Sequence, residues 1–430
     1  MVWLFLAFIV MFIFLAIGMW IAAAFGIAGF ISLWPMMGER FFFLVGEKSW
    51  ALSQDFLIIA VPLFVLMGDL LFNTGMMDEL YNGLIRLIPR WLKGGLIQVN
   101  VISCTIFAAC SGLSVASAAT IGRLAYPALT SRGYDNKLTL GSIACGGSLG
   151  ILIPPSVVFI VYAMLVGESV AKLFVAGLIP GLLLACFFSL AIMFRIWINP
   201  ELEPKEMEKR VSLRDKLVAF GRVSPFFGLI VLVLGSIYLG IATPTEAASF
   251  GCGGALLIGL SYRRLTWGIV ERSLRSAVVT GAFIYFIVIA ASLMKVALAY
   301  YHIEALMEDF LILFGRSRAF LFVAIVALYV VLGCVMDPLG MTLVTLPFVS
   351  PLLLAAGFDM LWFGVVFVIL VEMAQITPPI GFILFVLQGV CDVPISEVSK
   401  SVLPFLPIYL FMIVLLYLFP RIALWLPSSL

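Results

Sequence analysis

Charge is what this sequence has least of. Of its 430 residues, 11% are Asp, Glu, Lys or Arg, well under the roughly one quarter of a soluble domain. A surface that poor in charge cannot be wetted all round, which excludes an ordinary water-soluble globule. A single histidine, His302, leaves little scope for His-based catalysis or a zinc site. The seven cysteines (Cys104, Cys110, Cys145, Cys186, Cys252, Cys334 and Cys391) contain no Cys-x-x-Cys spacing. Most lie in apolar runs, where a thiol is a small packing side chain and not a disulfide partner or metal ligand. The net charge of +2 carries no message about nucleic acid. No paired Asp, Ser–His or His–Glu arrangement marks an intramembrane protease. No catalytic residue is assigned, and an enzyme is not expected.

Apolar length is what the chain has in excess. It is 64% hydrophobic, with a mean hydropathy of +1.21, which predicts an all-α polytopic membrane protein. A span takes about 20 apolar residues, and candidates lie at 2–18, 20–36, 52–74, 138–165, 171–198, 223–241, 246–262, 276–300, 360–389 and 402–426. The first has no basic region or small-residue cleavage site and reads as a retained span, not a signal peptide. Segments 95–129 and 318–356 are too long for one helix and have polar centres. They suit helical hairpins that enter the membrane and turn back.

Basic residues orient the chain. Arg86, Arg90 and Lys93 precede the first hairpin, and Arg123, Arg132 and Lys137 follow its turn. The linker 195–222 carries Arg195, Lys205, Lys209, Arg210, Arg214, Lys216 and Arg222, and Arg263, Arg264, Arg272, Arg275 and Lys400 complete the set. An alternating threading puts these 18 of the 25 basic residues in the cytoplasm, with both termini periplasmic. The second hairpin then enters from the face opposite to the first.

Shifting the chain by about 224 residues brings features into coincidence. Phe25-Gly26 meets Phe250-Gly251, Leu66-Met67 meets Leu293-Met294, Cys110 meets Cys334, and Pro154-Pro155 meets Pro378-Pro379. The expected organisation is a first repeat over 1–198, a cytoplasmic linker over 199–222 and a second repeat over 223–430. Each repeat holds one hairpin and one broken helix (138–165 and 360–389). Five crossings per repeat invert one against the other, and inverted repeats with discontinuous helices are the signature of secondary transporters.

The breaks themselves, "CGGSLGILIPPS" and "AQITPPIGF", pose the chemical question. Interrupted backbone at membrane depth is tolerated only where protein buries it or it lines a cavity. Two prolines remove two donors and stop the helix from either side. The freed carbonyls suit a hard cation such as Na⁺, and the freed amides suit an anion. The hairpin tips, "AACSGLSVASAAT" and "GCVMDPLGMT", bring hydroxyls from Ser111, Ser114, Ser117 and Thr120, with Gly112 and Gly340 allowing reversal. For Ser117 and Thr120, helix packing and ligation are equally open readings.

The stretches "VPLFVLMGDLL", "SVASAATIG", "GGSLGILIPPSVVFIVYA", "GIATPTEAA" and "TPPIGFILFVLQG" resemble the large membrane subunit (M, or DctM-type) of tripartite ATP-independent periplasmic, TRAP, transporters. The resemblance runs over essentially the whole chain. It implies an elevator-type, Na⁺-driven importer of an organic anion, a carboxylate or sulfonate, in the bacterial inner membrane. It also implies two partners: a soluble periplasmic substrate-binding P (DctP-type) protein and a small four-helix Q (DctQ-type) subunit, here expected as a separate chain. The family's first tip often reads SGSS, whereas this chain reads "SGLS", with Leu113 in place of a hydroxyl.

Laid beside the resemblance, the residues take candidate roles. Ser111 and Ser114, with backbone oxygens around Gly146 and Gly150, form one Na⁺ site. Gly333, Asp337, Thr377 and the carbonyls before Pro378 and Pro379 form its counterpart. Ser114, Ser156 and Asp337 are candidates for substrate contact. Glu372 and Gln375, within the second broken span, are expected to tune the cation sites from behind. Asp69 and Lys295 read as scaffold or interface residues, Glu246 as a helix-start residue and His302 as a surface residue. Two other readings stay open: a channel, which would need a continuous polar path, and coupling to protons through Asp337 and Glu372.

Overall fold

The computed structural model describes residues 1–89, 92–204, 212–303, 317–334 and 336–429. Arg90, Lys205, Lys209, Arg210, residues 304–316 of the arm after His302, and Val335 lie outside the described residues. The first half of the chain forms α1 (Val2–Ala16), α2 (Ile21–Met37), α3 (Arg40–Ser53), α4 (Phe56–Asn73) and α5 (Met76–Leu87). It continues with α6 (Gly95–Ser111), α7 (Ser114–Thr130), α8 (Asn136–Ser148), α9 (Val157–Val166) and α10 (Val170–Ile198). The second half forms α11 (Leu213–Tyr238), α12 (Pro244–Ser261), α13 (Trp267–Tyr300), α14 (Arg318–Gly333) and α15 (Pro338–Ala355). It closes with α16 (Met360–Ile376), α17 (Phe382–Cys391), α18 (Ile395–Val402), α19 (Leu406–Leu418) and α20 (Arg421–Leu424). Among the described residues no strand occurs, and six helical segments are long and apolar enough to cross a membrane.

Short polar side chains set where these helices begin. Asp55, Asp135, Ser156, Ser169, Ser212, Thr243, Ser317, Asp337 and Asp359 each accept a first-turn amide. Such caps answer amides that lipid would leave unpaired. Thr243 and Glu246 form a reciprocal capping box, with the Glu246 carboxylate 2.8 Å from the Thr243 amide. Glu246 is therefore a helix-start residue. Arg318 joins the two ends of the second hairpin, donating from Nε to Ala356 O at 2.7 Å.

Several boundaries differ from those read in the sequence: α11 starts at Leu213, inside the expected linker and ten residues before position 223, and the span expected over 402–426 divides into α19 and α20. Residues 40–53 form a separate helix, α3, and the span expected from 52 starts at Phe56, because Asp55 caps it. Its later counterpart runs unbroken as α13 from Trp267 to Tyr300, nine residues earlier than position 276. Hydropathy alone misses that start, because Glu271, Arg272 and Arg275 are on its first three turns.

The two halves of the sequence interlock. α2 packs along α13, α4 along both α12 and α13, α7 against α17, and α9 against α15. Small residues allow close approach, as where Gly29 on α2 faces Leu293 on α13. Outward faces are apolar: Phe5, Ile9, Phe12, Leu190, Val231 and Phe286 are all exposed, as lipid contact requires. A polar clamp ties three elements together beside the basic loops. Glu79 on α5 meets Arg222 on α11 at 3.0 Å and Arg264, just after α12, at 2.6 Å.

Replacing Glu79 by Ala should lower stability by about 1 kcal/mol, since both arginines are partly exposed and solvent screens the pairs. Thermal unfolding in lipid nanodiscs measures this. The gap from wild type should narrow as ionic strength rises; a gap that persists in high salt would make Glu79 a packing residue.

Candidate functional site

Each hairpin turn lies on a double-proline break. The first turn is Gly112–Leu113, between α6 and α7, and Gly112 adopts φ +65°. A side chain there would be strained, and its Cβ would fall 2.5 Å from Pro155 O. Gly150, in the 3₁₀ turn that ends α8, approaches the same tip from the other side. A Cβ on it would fall 2.6 Å from both the amide nitrogen and the Cα of Ser114. Ser114 Oγ donates to Ser148 O at 2.9 Å, so the tip satisfies a carbonyl that the break sets free. Ser111 ends α6, with its hydroxyl 3.4 Å from the Leu113 amide.

The second turn repeats the arrangement with other side chains. Gly333 packs directly on Ala374 of α16, and Cys334 Sγ is 3.6 Å from Pro378 O. Asp337 begins α15, and its Oδ2 accepts the amides of Leu339 and Gly340, both at 3.2 Å. Thr377 Oγ1 donates back to Met373 O at 2.6 Å. The Pro154–Pro155 and Pro378–Pro379 bonds are both cis.

The two broken helices pack side by side, α8 on α16, and polar contacts join them to each other's surroundings. Gln375 Nε2 reaches Ser114 Oγ at 3.4 Å, linking the second break to the first tip. The Ser148 hydroxyl pairs with the Tyr409 hydroxyl of α19. Tyr162 on α9 donates to Met360 O at the start of α16, at 2.7 Å.

Of the residues singled out from sequence, Ser111, Ser114, Gly150 and Gln375 come together at the first tip. Gly333, Asp337, Thr377 and Pro378 gather at the second. Gly146 lies a turn back from Gly150 and packs on Val101 and Cys104 of α6. Ser156 is fully buried, and its hydroxyl caps the Phe159 amide at 3.3 Å, so it answers an amide of its own helix. The tips differ in access: Ser111 and Ser114 are 1% and 2% exposed, whereas Asp337, Thr377 and Pro378 are half-buried. Glu372 is fully buried behind the site. Ser117 and Thr120 bond carbonyls of their own helix, at 3.0 and 2.7 Å. Lys295 donates to Leu165 O, at the end of α9, at 3.2 Å. Asp69 on α4 meets Ser276 on α13, so the two intramembrane charges have separate partners.

Sequence reasoning passed over Ser148, whose carbonyl and hydroxyl both join the network, and Tyr409. It also passed over Gly68 of α4, against which Ser111 packs, with 2.9 Å between a Gly68 Cβ and Ser111 Cα. One signal was available: Ser148 stands 224 positions before Glu372, in register with the proline pairs.

Interleaved apolar helices with paired hairpins lying on broken helices define a polytopic helical membrane protein of the transporter class. The fold is similar to that of the Alcanivorax borkumensis YdaH transporter, with a TM-score of 0.61 at 14% identity, covering 92% of this chain and 90% of that one. Residues 8–422 match the family described as "Tripartite ATP-independent periplasmic transporter, DctM component". The C4-dicarboxylate TRAP transporter large permease protein DctM of Rhodobacter capsulatus is 32% identical over 90% of each chain. The isethionate TRAP transporter permease protein DctMQ of Oleidesulfovibrio alaskensis is 28% identical over 96% of this chain and 64% of its own. The sialic acid TRAP transporter permease protein SiaT of Haemophilus influenzae is 29% identical over 89% of this chain and 62% of its own. The chain belongs to the DctM family of TRAP transporter large permease subunits.

Gly150→Ala should separate the first tip from its break, because the atoms it meets are backbone and cannot rotate away. Uptake by the assembled transporter should fall by at least about tenfold, with about 1–3 kcal/mol lost from stability. Gly253→Ala, with nothing within 4 Å of the added Cβ, is the matched control and should change neither. Normal uptake by Gly150→Ala would show that the tip need not touch the break.

Proposed function

We propose that this subunit imports an organic anion by Na⁺ symport and an elevator movement, after a soluble periplasmic protein delivers the substrate. The observation that carries the reading is the seating of both tips on both breaks at backbone contact. Such a seat gathers carbonyl and hydroxyl oxygens, the hard ligands that Na⁺ prefers. In the first seat these are oxygens of Ser111, Ser114 and the Gly146–Gly150 segment, with Ser148 O added. In the second they are the carbonyls of Gly333, Thr377 and Pro378, together with Asp337. The interlaced pairs α2–α13 and α4–α12 supply a frame, against which the tips and broken helices are the part proposed to move.

The relatives are named for C4-dicarboxylates, isethionate and sialic acid, which supports a small carboxylate or sulfonate as cargo. Ser114, Ser156 and Asp337 remain the proposed contacts. Ser156 requires α9 to loosen from the state described here, since its hydroxyl is engaged. A P-type binding protein and a Q-type subunit complete the proposed complex in the inner membrane.

In proteoliposomes containing the complex and the binding protein, uptake should require an inward Na⁺ gradient. Uptake that survives replacement of Na⁺ by choline, and that accelerates with acid outside, would assign the driving force to protons. The large subunit alone should show no saturable uptake; if it does, the dependence on partners is wrong.

Asp337 separates ligation from capping. Asn keeps a capping oxygen and loses the charge, whereas Ala loses both and about 1 kcal/mol of helix stability. Per folded complex, Asp337→Ala should cut uptake by at least about tenfold, equivalent to about 1.4 kcal/mol. Asp337→Asn should fall between, with apparent Na⁺ affinity declining in the same order. Unchanged Na⁺ dependence in the Ala variant would leave Asp337 a helix cap and nothing more.

A further inference from the structure

Glu372 is the one carboxylate of α16 and its side chain is wholly enclosed, with 0% of the residue exposed. Among the described residues, neither Oε1 nor Oε2 has a hydrogen-bond partner. The elements around it offer no countercharge. From α19 comes the Tyr409 hydroxyl, within electrostatic reach of the carboxyl and already paired with Ser148 Oγ. From α8 comes the Cys145 thiol, close to Tyr409. The Leu152 amide, in the first break, faces the carboxyl but donates to Leu149 O at 3.2 Å, which leaves the carboxyl outside hydrogen-bond geometry. Tyr162 of α9 and Tyr329 of α14 spend their hydroxyls on Met360 O and Thr345 Oγ1. The basic residues of the neighbouring helices stand at helix ends: Lys137 is eleven residues from Ser148 on α8, about 16 Å along the axis.

A carboxylate buried without a partner is among the costliest groups a protein can hold, and it escapes that cost by pairing or by becoming neutral. Pairing with a metal cation needs several oxygens converging on one point and a space for the ion. Here the hydroxyls of Ser148 and Tyr409 are committed to each other. The position is also off the tips, behind the layer in which Gln375 meets Ser114.

We propose that Glu372 is a proton-binding site inside the broken-helix core: the ligand its carboxyl holds in this state is a proton, not a metal cation. The proton converts an acceptor-only group into one that also donates a hydrogen bond. It is held by a residue of the second repeat at the position that Ser148 fills in the first. The site is separate from the cation seats of the two tips.

The first test reads the carboxyl itself, with no reliance on the transport reading. Infrared spectra of the purified complex in lipid, with glutamate labelled by carbon-13, should show the C=O stretch of a protonated acid near neutral pH. An ordinary glutamate is fully ionised there. The band should vanish in Glu372→Gln. A labelled wild type with ionised carboxylate bands alone would overturn the proposal, whether or not the variant assembles. The second test does rest on the Na⁺-symport reading. Gln copies the shape of the neutral acid, so Glu372→Gln should keep the Na⁺ half-saturation within about twofold of wild type, while Glu372→Ala, which opens a cavity, should lose uptake. A well-assembled Glu372→Gln whose Na⁺ half-saturation rises at least about tenfold would show that the carboxylate charge holds the cation, and would also overturn it. Loss of all Na⁺ dependence in the wild type would count against the transport reading and leave the spectroscopic result standing.

Discussion

Everything in this molecule depends on hiding interrupted backbone from lipid. An apolar helix crossing the membrane satisfies its own amides and carbonyls; a broken one does not, and each group left bare costs several kcal/mol. The break after α8 is therefore buried throughout, and the one after α16 is covered in part. Ser114 answers Ser148 O, Cys334 points at Pro378 O, and Ser156 answers the Phe159 amide. Glycine at 112 and 150 lets backbone lie on backbone, which no larger residue permits at those separations. Ser114, which seals the first break, is also proposed to hold the coupling ion, so at that tip stability and proposed function draw on one contact.

The cover is unequal on the two sides. The first tip is sealed, pressed between the first break and Gly68 of α4. The second tip keeps Asp337 and Thr377 partly open and leaves Pro379 and Ile380 exposed. Similar local chemistry thus sits in two different degrees of access. Lys295, reaching from α13 to the carbonyl end of α9, adds a charged contact between those two helices.

Relatives at about 30% identity are named for a dicarboxylate, a sulfonate and a sugar acid. One architecture therefore serves anions of different size and charge, and the fold by itself does not select among them. At the first tip of this chain the apolar side chain of Leu113 stands between Gly112 and Ser114.

Membrane residence, the all-helical class and the positions of the breaks were legible in the residues themselves. Long apolar runs allow few other solutions in lipid, and paired prolines cannot continue a helix. The proline pairs at 154–155 and 378–379 and the tips at 112 and 337 fall where the sequence placed them, because each is a local backbone constraint. Partnerships between distant residues were not legible. Nothing in the run from Gly146 to Gly150 says that the carbonyl of Ser148, and not of its neighbours, receives Ser114. Helix phase and the approach angle of another segment decide that. The separate α3, the early start of α13, the engaged hydroxyl of Ser156 and the contact between Gly68 and Ser111 have the same origin. So does the isolation of Glu372: its sequence neighbours mark it as intramembrane, but only the packing of α8, α9 and α19 around α16 removes every partner from its carboxyl.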